Sequence, residues 1–220
     1  MNHIVVIGAG QAGASLVAKL RKDGFDGDVT LIGEEPVVPY QRPPLSKAYL
    51  LGEMALERLF LRPESFYEEQ NIRLRLGQPV LSVDPTEKTV TIEKDTISYD
   101  QLVLTTGSSP RRLPAAIGGD LDNVFVVRTL ADVDAMANSV AKGARALIVG
   151  GGYIGLEAAA VARKRGVEVT LVEMADRILQ RVASPNTSDF FRSLHSGQGV
   201  DIRQITGFGL GAMLVGGNSQ

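Results

Sequence analysis

The chain has 220 residues, 44% of them hydrophobic, with 23 Lys and Arg against 25 Asp and Glu and a net charge of −2. That length allows one large or two small domains, each with a real core, and the balance of charge leaves no basic field to attract nucleic acid. With no cysteine and only His3 and His195 as histidines, a disulfide framework, a thiolate metal site and a redox dithiol are excluded, and zinc could be held only with help from carboxylates.

The N-terminal run IVVIGAG has no Lys or Arg before it and is broken by glycines, so it does not read as a signal peptide. No apolar run is long enough to span a membrane, and a soluble cytoplasmic protein is expected. Residues 4–13, IVVIGAGQAG, read as a buried strand followed by Gly8, Gly10 and Gly13, then a helix over 14–22. In such a G-x-G-x-x-G unit the first glycine makes the tight turn and the second lets the backbone approach a pyrophosphate. The third lets the helix pack on the strand, and the helix N-terminus offers free N–H groups to the phosphates. The strand VTLIG then leads to Glu34, 21 residues beyond Gly13, where an acid is expected to bond a ribose diol.

Residues 38–50, VPYQRPPLSKAYL, form a stiff basic stretch where a plain connection would be expected, with a helix over 44–51. A second helix is expected near 63–70. IRLRLG, PVLSVD and KTVTIE are strand candidates, with EKDT as a turn. YDQLVLTTG, residues 99–107, is an apolar strand ending in Thr-Thr-Gly, and RTL at 128–130 opens a helix of pattern ADVDAMANSVA. Residues 147–156, LIVGGGYIGL, then repeat the opening pattern with Gly150, Gly152 and Gly155, and EVTLVE ends at Glu173, 18 residues beyond Gly155. Two such units imply two bound dinucleotides. The antiparallel insert between them is what a three-layer flavoprotein requires. Glu173 accepts hydrogen bonds from a 2′-hydroxyl and repels a 2′-phosphate, which favours NADH over NADPH; Arg177 and Arg181 nearby weigh the other way.

Taken together, VVIGAGQAG, PYQRPPLSKAYL, YDQLVLTTG, RTL and VGGGYIGLEAA resemble the FAD-dependent, NADH-oxidising ferredoxin reductases of bacterial cytochrome P450 and ring-hydroxylating dioxygenase systems, within the pyridine nucleotide-disulfide oxidoreductase superfamily. The resemblance covers about residues 3–203. It implies an α/β, FAD/NAD(P)-binding three-layer ββα fold with two Rossmann-like units: a FAD domain over 1–112 and a NAD domain over 113–203. Hydride would pass from NADH to FAD and electrons singly to a [2Fe–2S] ferredoxin. No nucleic acid or membrane partner is implied.

Disulfide reductases of similar architecture carry a redox cysteine pair after the loop that holds Lys47. Its absence here makes a dithiol relay impossible. By resemblance, Lys47 would supply positive charge beside the flavin and Glu157 would pair with it, these two being the candidate catalytic residues. Arg42 would bind a phosphate or a neighbouring carboxylate. Ala12, Glu34, Val80, Thr106, Gly107 and Arg128 complete the expected FAD set with Gly8, Gly10 and Gly13. Gly150, Gly152, Tyr153, Ile154, Gly155 and Glu173 form the NAD set, and no metal site is expected.

Members of the family are longer. Residues 204–220, QITGFGLGAMLVGGNSQ, are uncharged, hold five glycines and read unlike a continuing strand. A truncated or frame-shifted product is the expectation. An inactive nucleotide-binding fragment, or a reductase of rubredoxin or of the oxygenase itself, stands as the alternative.

Overall fold

The computed structural model describes residues 2–93 and 95–205, so Lys94 of the expected turn and 206–220 of the expected tail lie outside the described residues. The chain resolves into two compact units, Met1–Arg42 with Ala55–Ser109, and Pro43–Met54 with Pro110–Gln220.

The first unit follows from one strand buried on both faces. β1 (His3–Ile7) is apolar after His3, as a central parallel strand should be. It is flanked by β2 (Asp28–Ile32), reached through α1 (Gln11–Lys22), and by β7 (Gln101–Leu104); β3 (Ile72–Arg75) follows α2 (Glu64–Glu69) and completes a parallel sheet of order β3-β2-β1-β7. Successive side chains on a strand point to opposite faces. Ile4 and Val6 therefore pack with Val17 of α1, Tyr67 of α2, Val29, Leu31 and Ile72. Val5 and Ile7 pack the other way, with Ile32, Val90 and Ile92. Those last two valine and isoleucine contacts come from an antiparallel meander, β4 (Val80–Asp84), β5 (Thr89–Ile92) and β6 (Asp95–Ser98). Meander, parallel sheet and helices are the three layers expected.

Strand β6 differs from the sequence reading, which placed a turn over EKDT. Asp95 already pairs with Ile92 and Thr96 with Thr91. The β-branched Thr96 and Ile97 suit a pleated surface, and Ile97 packs on the Val90 cluster.

In the second unit β8 (Arg145–Val149), β9 (Glu168–Glu173) and β10 (Val200–Gln204) form a parallel sheet of order β10-β9-β8. Its core joins Leu156, Ala159 and Ala162 of α4 (Tyr153–Lys164) to Val169, Leu171, Ile178 and Val200. The stretch from 204 reads in the sequence unlike a continuing strand, yet β10 includes Gln204, and the Ile205 N–H bonds the Glu173 carbonyl at 2.9 Å. α3 (Leu130–Ala137) starts at a capping box between Thr129 and Asp132 and ends earlier than its apolar pattern, at Asn138, where Asn and Ser favour leaving the helix. α5 (Pro185–Gly197) was not anticipated, although Ser184 as cap and Pro185 in the first turn are its sequence signal.

The internal repeat extends to an arginine. Arg21 and Arg163 each occupy the eleventh position of their helix. Arg21 donates to the carbonyls of Phe25, Gly27, Gln70 and Asn71; Arg163 donates to those of Val167 and Gln198. Each guanidinium thus ties the end of the first helix to the end of the next, just before the third strand enters. Replacing either by Gln leaves carbonyls without their charged donor and is expected to cost about 2 kcal/mol, read by urea denaturation.

The Tyr67 hydroxyl is buried with no hydrogen-bond partner among the described residues. Burial pushes its pKa up to about 12, against a lowering contribution from Arg62. Because the folded value lies above the unfolded one of about 10, this contribution to stability is full below pH 10 and is lost as the pH rises towards 12. Tyr67→Phe is expected to be neutral or stabilising by up to about 1 kcal/mol at neutral pH and to flatten the alkaline loss, both measured by denaturation at several pH values.

Candidate functional site

The two glycine turns are built alike. Gly8 lies at φ +111° and Gly150 at φ +108°, a region that L side chains avoid. Each follows a strand and bonds back to the neighbouring one, the Gly8 N–H to the Ile32 carbonyl and the Gly150 N–H to the Val172 carbonyl, both at 2.8 Å. A Cβ on Gly13 would lie 2.2 Å from the Gly8 carbonyl oxygen, and one on Gly155 would lie 2.0 Å from that of Gly150. Nothing lies within 4 Å of a Cβ placed on Gly10 or Gly152. Those two glycines cap α1 and α4, where no side chain caps the helix and no acid sits in the first turn. Open backbone and undirected N–H groups at a helix start are the form an anion such as a pyrophosphate fits. Ala12 is exposed in the first turn of α1, as are Tyr153 and Ile154 in that of α4.

The two acids are not equivalent. Registered on the strands, Gly33 takes the position in the first unit that Glu173 takes in the second. The loop residues are exchanged correspondingly, Ala9 facing Gly33 and Gly151 facing Glu173. A side chain on Gly33 would meet the Ala9 methyl at 2.7 Å, so the first unit carries its acid one residue later. Glu34 is exposed and makes no hydrogen bond or ion pair among the described residues. The Glu173 carboxylate accepts from the Gly151 N–H at 2.7 Å and the Ala175 N–H at 2.8 Å, and the Leu179 N–H donates to the Gly151 carbonyl at 2.9 Å. Each carboxylate oxygen keeps a second lone pair for a ligand. Arg177 donates to the carbonyls of Ala183 and Gln180 and to Ser188 Oγ. Its fork is occupied by its own loop, while Arg181 is exposed.

Residues Pro43–Met54 belong to the second unit. Leu45–Tyr49 form one wide helical turn in which the Tyr49 N–H bonds the Pro44 carbonyl, five residues back; the Glu53 N–H does the same to Ala48. Such a π-turn inserts one extra residue into a helix. Lys47, at φ −127° and ψ −111°, departs from helical geometry. Its Nζ lies 3.0 Å from Glu157 Oε1, and Ser46 Oγ donates to Glu157 Oε2 at 3.2 Å. Glu157 is the fifth residue of α4, a turn beyond the helix start, so it does not oppose an anion there. Further along, Tyr49 Oη donates to Asp134 Oδ1 at 2.8 Å and Arg165 to the Leu50 carbonyl at 2.8 Å. Burial first, and then the bond to Asp134, hold the Tyr49 phenol above its ordinary pKa.

The other expected residues are dispersed. Arg42 pairs with Glu35 at 2.6 Å and stacks on Tyr40, whose hydroxyl donates to the same carboxylate; of the two roles expected for it, the structure supplies the neighbouring carboxylate. Val80 opens β4 beside a register shift. Thr106 and Gly107 are exposed beyond β7. Arg128 is half-buried before α3, its N–H directed at Asp132. Sequence reasoning missed Thr105, whose hydroxyl donates to the carbonyls of Ile7 at 3.0 Å and Gly8 at 2.8 Å and so braces the first turn. It adjoins the Thr-Gly pair that drew notice, and alternation along β7 was the available signal. Ser46 and Glu35 carried no signal.

Residues 2–209 match the pyridine nucleotide-disulphide oxidoreductase family, and the chain belongs to it. It is 46% identical over 207 residues to a ferredoxin–NAD(P)(+) reductase of Sphingomonas sp., covering 94% of this chain and 50% of that protein. It is 43% identical to rhodocoxin reductase of Rhodococcus erythropolis, covering 93% and 48%. The crystal structure of the covalent putidaredoxin reductase–putidaredoxin complex superposes with a TM-score of 0.89 at 40% identity, covering 92% of this chain and 49% of that one. The chain therefore spans about half the length of the curated relatives it matches. Among the described residues no helix is long and apolar enough to cross a membrane.

The steric contrast within each turn is testable without a ligand. Gly155→Ala, with backbone in the way, is expected to cost about 3 kcal/mol. Gly152→Ala, with open space, is expected to cost less than about 1 kcal/mol. Urea denaturation of the two variants gives the comparison.

Proposed function

We propose that the chain is the dinucleotide-binding part of an NADH-oxidising, FAD-dependent ferredoxin reductase. The observation that carries the reading is the pair of matching glycine turns in a chain without cysteine. Two dinucleotide sites imply hydride transfer from a nicotinamide to a flavin, and without a dithiol in this chain the flavin would hand its electrons directly to an external acceptor. In this reading the first turn, with Gly8, Gly10, Ala12, Gly13 and Glu34, holds FAD; Val80, Thr106, Gly107 and Arg128 add contacts. The second turn, with Gly150, Gly152, Tyr153, Ile154, Gly155 and Glu173, holds NADH.

A bound flavin supplies the conversion of a two-electron hydride into single electrons. The residues of the chain bind and orient. Helix starts α1 and α4 hold pyrophosphates, and Glu173 keeps acceptor capacity for a ribose diol. Engagement of Arg177 by its own loop supports NADH over NADPH, since that guanidinium is not turned to a 2′-phosphate. On the resemblance, Lys47 would supply positive charge beside a bound flavin; in the chain its ammonium is held by Glu157 at 3.0 Å. The names of the relatives support a ferredoxin as acceptor, two of them within dioxygenase systems; a [2Fe–2S] centre in that ferredoxin, service to a cytochrome P450 or dioxygenase and a cytoplasmic location are proposed on the resemblance of the sequence motifs. A rubredoxin reductase of Pseudomonas putida is less similar, at 38% identity.

The test is a visible spectrum of the purified chain with FAD, followed by anaerobic NADH. A retained flavin band, shifted from that of free FAD and bleached by NADH at a concentration at least about tenfold below that needed with NADPH, is expected. A chain that releases all FAD on gel filtration would refute the reading for this polypeptide.

A further inference from the structure

We propose that Ser46 is a positioning residue for the Lys47–Glu157 pair: its hydroxyl holds the Glu157 carboxylate in place so that Lys47 can leave and return. The proposal rests on the reading of Lys47 as the cation that serves the flavin.

The two contacts on Glu157 differ in kind. The side chains of Lys47 and Glu157 are 47% and 37% exposed, and an ion pair so open to water is weak and readily exchanged. Ser46 is 5% exposed, and its hydroxyl donates to Glu157 Oε2 alone among the described residues. A buried hydroxyl that lost this partner would have no water to replace it. The Ser46 contact is thus the persistent one and the Lys47 contact the labile one.

The backbone makes this possible. In a regular helix adjacent residues diverge by about 100° and do not converge on one target. The wide turn over Leu45–Tyr49 and the non-helical Lys47 bring consecutive side chains to the two oxygens of a single carboxylate. Farther along the segment, Tyr49 bonds Asp134 and Arg165 bonds the Leu50 carbonyl. These ties anchor the backbone to α3 and α4, so the freedom that remains is in the Lys47 side chain.

Competitive acetylation of the purified chain by acetic anhydride, quantified by mass spectrometry with the exposed Lys164 as internal reference, reads the state of the Lys47 amine without any cofactor. Ser46→Ala is expected to raise Lys47 labelling about two- to fivefold, the range an exposed ion pair commands. Ser46→Thr, which keeps the hydroxyl, is expected to return it to the wild-type rate. Glu157→Gln raises it too, and Ser46→Ala added to Glu157→Gln is expected to add nothing. No rise in Ser46→Ala overturns the proposal. So does a rise that Thr does not reverse, or one that adds undiminished to Glu157→Gln, because Ser46 would then act by packing alone. Adding FAD to the wild-type chain separates the underlying reading. If FAD leaves Lys47 labelling unchanged while the Ser46 effects hold, the flavin role of Lys47 fails and the positioning role stands.

Discussion

A contact that only a hydrogen permits sets the geometry of both units. The third glycine of each turn lies so close to the carbonyl of the first that a methyl would sit about 2 Å from it. This approach seats the helix on its strand, directs the helix start towards the turn and places the second glycine over open space. The burial of Val17 against Ile4 and Val6, and of Leu156 against Val169 and Leu171, follows from that seating. The same closeness makes the turns intolerant at one glycine and permissive at another only a few residues away.

Around this shared frame the units diverge by small reciprocal changes. Ala9 and Gly33 in one, Gly151 and Glu173 in the other, exchange volume between loop and strand end. Where the loop has no side chain, a carboxylate enters and takes the loop N–H. Where the loop has a methyl, the strand end must be glycine and the acid moves to Glu34. One unit therefore braces its turn through Glu173 and Leu179, the other through the Thr105 hydroxyl. Among the described residues Glu34 makes no hydrogen bond or ion pair, whereas Glu173 uses part of its acceptor capacity internally.

The proline-rich segment shows a different division of labour. Its prolines restrict the backbone, its π-turn sets the direction of Ser46 and Lys47, and its ties to Asp134, Glu157 and Arg165 assign it to the unit built around the second glycine turn. In sequence it interrupts the first unit.

Local and periodic features were legible in the chain itself. Runs such as HIVVI and EVTLVE, the glycine spacing, the acids near the second strands and the cysteine-free composition together determined two dinucleotide-type units, their parallel strands and the antiparallel layer between them, because strand and turn preferences act over a few residues. The Lys47–Glu157 pair was anticipated only through resemblance. What the tertiary structure alone decided was the unit to which 43–54 belongs, the exchange at Gly33 and Glu173, the clamps of Arg21 and Arg163, and the place of Ser46 beneath Glu157. Each joins residues distant in the chain, 111 apart for Ser46 and Glu157. Contacts of that range leave no periodicity in a sequence; they exist only once packing has fixed which surfaces meet.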